Sequence, residues 1–184
     1  MATIVVPFRR ENAKRRLRPL PEEARAALAE AMLADVLAAA ETAGHRTTVA
    51  HEAGQGEAVE LALRRVESRP ILVVNADLPC AQPRDLLALL GALPDGGMAL
   101  AEAPDGTTNA LALAAPHLFA PLYGPGSAGR FRARAERLDV PVVTVEIPNL
   151  VDDVDTVDDL ERLESRLGPH TARALGELRA GLVQ

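Results

Sequence analysis

Short apolar runs alternate along this chain with longer segments whose apolar positions recur at helical spacing. Ile71, Leu72, Val73 and Val74 follow Pro70 with no polar residue among them, the pattern of a strand buried on both faces of a sheet. The same reasoning predicts a first strand over 3–8 (TIVVPF) that ends at Pro7, and a short one over 46–50. Two more, 98–103 (MALAEA) and 109–114 (NALALA), flank the turn PDGTT, and a last strand covers 141–146 (PVVTVE). Segment 21–43 opens on Pro, carries Glu22 and Glu23 in its first turn and stops at Gly44, which are helix start and stop signals. Further helices are predicted over 54–66, 83–93, 127–138 and from Thr156 onward, the last interrupted at Gly168 and Pro169. Strands alternating with helices predict an α/β fold with a largely parallel sheet covered on both faces, which an antiparallel pair can enter around Gly106.

Composition narrows the picture. With 184 residues and 48% hydrophobic content, one domain over 1–184 is expected. A net charge of -6 argues against a general nucleic-acid binder, because phosphate backbones are held by clustered Lys and Arg. Any anionic substrate must be met by local positive charge or by a metal. A single cysteine, Cys80, excludes an intrachain disulfide and a cysteine-based zinc site and fits a reducing cytoplasm. No apolar run approaches the roughly 20 residues of a membrane span, so the expectation is a cytoplasmic protein without a membrane partner, monomeric or homodimeric. His45, His51, His117 and His170 are scattered without metal-ligand spacing and receive no role.

Four features can carry chemistry. First, Asp77 ends the apolar run before Pro79: it either caps a turn or stands at the crevice beyond the strand, where open α/β sheets bind ligands. Second, the connection after Pro7 carries Arg9, Arg10, Lys14, Arg15, Arg16 and Arg18, a plausible phosphate corner or a solvated basic face, and it has no Walker order. Third, LVDDVDTVDDL packs Asp152, Asp153, Asp155, Asp158 and Asp159 together. Helix capping accounts for Thr156, Asp158 and Asp159. It accounts poorly for Asp153 and Asp155, which as alternate residues of an extended segment point the same way and repel unless a cation intervenes. Mg²⁺, with its preference for carboxylate and phosphate oxygens, is the natural candidate. Gly106, Thr107, Thr108 and Asn109, with Gly124, Gly126, Ser127 and Gly129, form two glycine- and hydroxyl-bearing turns suited to an anion or simply to chain reversal.

Taken in order, VVPF, AKRRL, AMLADVL, NADLP, GTTNAL, YGPGS and DVDTVDDL resemble the 2-phospho-L-lactate or phosphoenolpyruvate guanylyltransferases of deazaflavin coenzyme F-420 biosynthesis, up to about Leu163. The resemblance implies a three-layer, Rossmann-like nucleotidyltransferase fold with a mostly parallel mixed sheet. It also implies joining of GMP from GTP to a small phosphorylated carboxylic acid, with release of pyrophosphate and with Mg²⁺ as cofactor. It assigns Lys14 to the nucleotide phosphates, with Pro7, Arg9, Gln55 and Gly56 on the nucleotide side. Asp77, Asp153 and Asp155 become metal ligands, and Thr108, Gly124 and Ser127 bind the phosphorylated acid. Lys14, Asp77 and Asp153 are the expected catalytic set. A nucleotidyltransferase of other specificity, for 3-phosphoglycerate, a sugar phosphate or molybdopterin, and a noncatalytic nucleotide-binding protein remain the alternatives.

Overall fold

The structure is a computed structural model and describes residues 1–9, 17–51, 54–66 and 69–182. Six strands form one sheet in the order β2-β1-β3-β5-β4-β6: β1 (Thr3–Pro7), β2 (Arg46–Ala50), β3 (Ile71–Val74), β4 (Met98–Glu102), β5 (Thr108–Leu113) and β6 (Val142–Thr144). Strands β1, β2 and β3 run parallel to one another, and β6 runs parallel to β4. Strand β5 is antiparallel to both of its neighbours, β3 and β4, which makes the sheet mixed. The predicted reversal around Gly106 is therefore real, and it turns β5 against two strands rather than one.

Helices cover both faces because every central strand is apolar on both sides. Ile4, Val6, Leu72 and Val74 face α1 (Glu22–Thr42), α3 (Pro83–Gly91) and α5 (Pro148–Val151), through Val36, Ala40, Leu86, Leu89 and Leu150. Val5, Ile71 and Val73 point the other way, to α2 (Gln55–Leu63) and α4 (Ser127–Arg137), where Val59, Leu63 and Phe131 are buried. Helix α1 is apolar on more than one side because it is sandwiched. Its Leu28, Ala29 and Met32 join Leu17, Cys80, Val154 and Leu160 in a third cluster under α6 (Val157–Leu163) and α7 (Pro169–Leu182). No helix of the described residues is long and apolar enough to cross a membrane.

The predicted 46–50 strand is observed with those bounds, whereas α3 stops at Gly91 rather than residue 93 and β6 keeps only three residues. Strand β6 is an edge strand paired only with β4, so little holds its ends. Helix α5 is absent from the sequence reading because its four residues are too few to show a period.

Two crossovers fix where a ligand can sit. The chain leaves β1 through α1 to reach β2 on one side, then returns through α2 on the opposite face to β3, beyond β1. The carboxyl ends of β1 and β3 thus splay their connections apart, and such a switch point opens a crevice. Strand β5, running the other way, brings its amino end, Thr108 and Asn109, to the same edge.

Candidate active site

Asp77 lies three residues beyond β3, at that crevice. Segment 152–155, which joins α5 to α6 and is flanked by extended backbone at Asp152 and Thr156, reaches it: the Val154 N–H donates to the Asp77 carbonyl at 3.0 Å. Val154 is fully buried in the third cluster, so alternation along the extended backbone sends Asp153 and Asp155 to the opposite side. Carboxylate oxygens of Asp77, Asp153 and Asp155 all lie within 4.8 Å of one another, each side chain half-buried. Hard oxygen donors converging in this way suit a divalent cation such as Mg²⁺. The residues present therefore fit the metal that the sequence suggests.

The remaining aspartates of the acidic segment do other work. Thr156 is the N-cap of α6, and its hydroxyl accepts from the Asp159 N–H while the Asp159 carboxylate accepts from the Thr156 N–H at 2.8 Å and from the Asp155 N–H at 3.1 Å. Asp152 accepts from Arg162 at 2.9 Å and from Arg166 at 2.6 Å. Arg166 also reaches the Asn149 side-chain oxygen at 3.3 Å. Asn149 in turn donates to Asp85 at 2.9 Å, the carboxylate that closes the capping box of α3. Burial raises the Asp152 carboxyl, but hydrogen bonds from Arg166 and Arg162 outweigh it and hold it below the usual carboxylate range. Asp159 is likewise raised by burial and lowered more by Thr156 and Arg162.

Groups depressed in the folded state contribute stability that is fully present above their unfolded value, about 3.9 for Asp. That contribution is lost as pH falls through the lower folded value. Thermal melts between about pH 6 and 3 should therefore show the acid loss concentrated below about pH 4. Asp152→Asn should flatten that dependence, and an unchanged slope would count against the assignment.

The residues that the resemblance assigns to the phosphorylated acid meet one another. Ser127, at the start of α4, is fully buried; its hydroxyl accepts from the Thr108 N–H at 2.9 Å and donates to the Thr108 hydroxyl at 3.1 Å. Its N–H donates to the Gly124 carbonyl at 3.0 Å. Arg130, one turn along α4, donates to the carbonyls of Leu122, Tyr123 and Pro125 and so clasps the loop that carries Gly124. Tyr123 packs edge-on against Phe131 and beside Phe119, so most of the chain's few aromatics serve to seat this loop.

Of the residues that the resemblance assigns to the nucleotide, Pro7 is buried at the end of β1 and Arg9 is exposed just beyond it. Lys14 lies outside the described residues. Gln55 begins α2 and donates to the Asn75 side-chain oxygen at 2.7 Å; the Asn75 amide donates to the Thr108 carbonyl at 3.2 Å. Gly56 sits against Pro121, where a Cβ would lie 2.6 Å from the proline Cβ, so this glycine is required by the close approach of the two segments. Asn75 received no role from sequence. Its signal was position, two residues before Asp77 at a strand end. Arg162 and Arg166 gave no signal, because charged residues in a helical segment read as a solvated face.

A groove of about 820 Å³ runs between β2 and α2, lined by Arg46, Thr48, His51, Leu61 and Arg65 among others; it contains none of the three clustered aspartates. The Cys80 thiol is buried in the third apolar cluster, which raises its pKa and argues against a nucleophilic thiolate.

No family model matches the chain. It is 34% identical to a phosphoenolpyruvate guanylyltransferase of Conexibacter woesei over 95% of each chain. A second, from Sphaerobacter thermophilus, is 41% identical over 55% of this chain, a match that spans only 49% of that relative's length. A 2-phospho-L-lactate guanylyltransferase of Natrialba magadii is 30% identical over 96% of this chain and 88% of its own. Among solved structures, a candidate nucleotide-diphospho-sugar transferase from Desulfovibrio desulfuricans G20 superposes with a TM-score of 0.75 over 97% of this chain and 95% of that one. At 17% identity that likeness speaks for a shared fold alone. Sequence kinship over nearly the full length joins the fold and the carboxylate crevice: this chain belongs to the phosphoenolpyruvate and 2-phospho-L-lactate guanylyltransferase family.

Proposed function

We propose that the protein joins GMP from GTP to phosphoenolpyruvate and releases pyrophosphate. The observation that carries the reading is the convergence of Asp77, Asp153 and Asp155 at the switch-point crevice. Family membership and the names of relatives that span most of the chain supply the substrate class. In this reading the cation is Mg²⁺, the whole of 1–184 acts as one cytoplasmic domain, and the product feeds deazaflavin coenzyme F-420 biosynthesis.

A phosphate oxygen of the acid attacks the α-phosphorus of GTP. The new P–O bond forms as the bond to the bridging oxygen of the β-phosphate breaks, and that oxygen leaves with pyrophosphate. The attacking oxygen is already anionic at neutral pH, so no side chain has to remove a proton. The task left to the chain is alignment and charge compensation. A cation bound here supplies neutralisation of the two phosphates and polarisation of the reacting one. Asp77, Asp153 and Asp155 would hold it, drawn from two segments that the Val154–Asp77 backbone hydrogen bond keeps together. Lys14, with Arg9, binds the triphosphate, and Gln55 and Gly56 border the nucleoside. The turn of Gly124, braced by Arg130, together with the edge of Thr108 and Ser127, receives the acid. The hydroxyls of Thr108 and Ser127 bond to each other and so fix the shape of that turn.

The test is the mass of the product from GTP with phosphoenolpyruvate, 2-phospho-L-lactate or 3-phosphoglycerate. The expected product is the guanylylated enolpyruvate together with pyrophosphate. A faster reaction with 2-phospho-L-lactate would replace the acid, and no product from any pair would overturn the reading.

A further inference from the structure

We propose that Arg162 and Arg166 are positioning residues that set the cation affinity of the Asp77, Asp153 and Asp155 cluster by holding Asp152 turned away from it. The role rests on the cluster being the cation site proposed for guanylyl transfer.

Neighbours in an extended chain project to opposite sides, so the direction of Asp152 governs that of Asp153, and through it that of Asp155. Both oxygens of Asp152 are engaged: Oδ1 accepts from Arg162 at 2.9 Å and Oδ2 from Arg166 at 2.6 Å. Each arginine spends its second nitrogen on another anchor of the same loop. Arg162 donates to Asp159 at 3.1 Å, and Asp159 holds the backbone N–H groups of Asp155 and Thr156. Arg166 donates to Asn149 in α5. The planar fork of each guanidinium thus ties the segment on both sides of the two proposed ligands to fixed helices.

These arginines are 50% and 37% exposed, and as isolated ion pairs they would contribute little to stability. Their worth is geometric. Three carboxylates within 4.8 Å repel one another, and without the clamp only the buried Val154 and its backbone bond to Asp77 hold the 152–155 segment against that repulsion. Charge and geometry then predict opposite signs. A nearby guanidinium repels a divalent cation, so a purely electrostatic role means that its removal tightens binding; a positioning role means that its removal weakens binding.

The experiment is a Mn²⁺ titration of the full chain followed by electron paramagnetic resonance, with thermal melts in parallel. It compares wild type, Asp77→Asn, Arg162→Met, Arg166→Met and Arg166→Lys. Wild type should bind and Asp77→Asn should not. The two Met variants should bind about 10- to 100-fold more weakly, the usual consequence of losing a group that orients a metal ligand. Arg166→Lys, which keeps the charge and loses the fork, should fall between. Guanylyl transfer by the Met variants should recover as Mg²⁺ is raised, a rescue that mere loss of stability would not give. Unchanged or tighter binding in folded Met variants overturns the proposal; if they do not fold, unchanged binding in Arg166→Lys does so. Absence of binding in wild type would instead remove the cation-site reading, and the positioning role with it.

Discussion

Asp77→Asn should lower guanylyl transfer by about a hundred- to a thousandfold at saturating Mg²⁺ while leaving the melting temperature at or above the native value. The loss is of the size seen when one preorganised electrostatic group is removed from a transfer site. The stability half of the expectation comes from the geometry. Asn preserves the shape of the side chain, and the contact that ties the two segments uses the backbone carbonyl of residue 77, which the substitution leaves in place. Three carboxylates within 4.8 Å repel one another before a cation arrives, so removing one charge relieves the folded state. Pyrophosphate release and a thermal melt on the same preparation check both halves. Turnover within about tenfold of native would remove Asp77 from the mechanism, and a large fall in melting temperature would make it a structural residue.

The largest effect on stability is expected at Gly168, outside the carboxylate cluster. Asp35, buried in α1, accepts from the N–H groups of His170 and Thr171 at 2.9 Å each and so caps α7. A Cβ on Gly168 would lie 2.3 Å from the Asp35 carboxyl carbon. In Gly168→Ala the carboxylate must withdraw, and a buried charge then loses its two donors. Overpacking and the lost cap together are worth about 2–3 kcal/mol, or roughly 5–10 °C in a chain of this size. Differential scanning calorimetry would measure it, and a shift below about 2 °C would show that the α1–α7 contact is pliable. Gly168 also donates its N–H to the Pro79 carbonyl at 2.8 Å, two residues after Asp77. The same variant should therefore lose some activity beyond what the unfolded fraction explains.

Elements were legible wherever local pattern suffices. Helix α1 announced itself through its first-turn glutamates and Gly44, and β3 through four contiguous apolar residues; both stand where the pattern put them. Asp77 was legible as an anomaly, a charge at the end of a strand that could be neither continued nor buried cheaply. Asp153 and Asp155 were legible through the period of an extended chain, and they do converge with Asp77. The resemblance to the guanylyltransferases was carried by motif order, and the full-length relatives bear it out. The groups that fix the loop were not legible. Asp152 and Asp153 are chemically identical neighbours, and nothing local says that one faces Arg162 and Arg166 while the other faces Asp77.

The sequence by itself determined the alternation of strands and helices, the carboxylate at the end of β3 and the family, because backbone period, capping chemistry and motif order are properties of neighbouring residues. Only the tertiary structure decided the pairing of β5 with β3, the partner of each aspartate, the pairing of Thr108 with Ser127 and the reason for Gly168. Each of these depends on which segments meet, and that is settled by the packing of apolar faces between residues far apart in the chain. In that packing Val154, buried with Cys80 and Met32, does what no local rule foretells: it turns its two acidic neighbours toward Asp77.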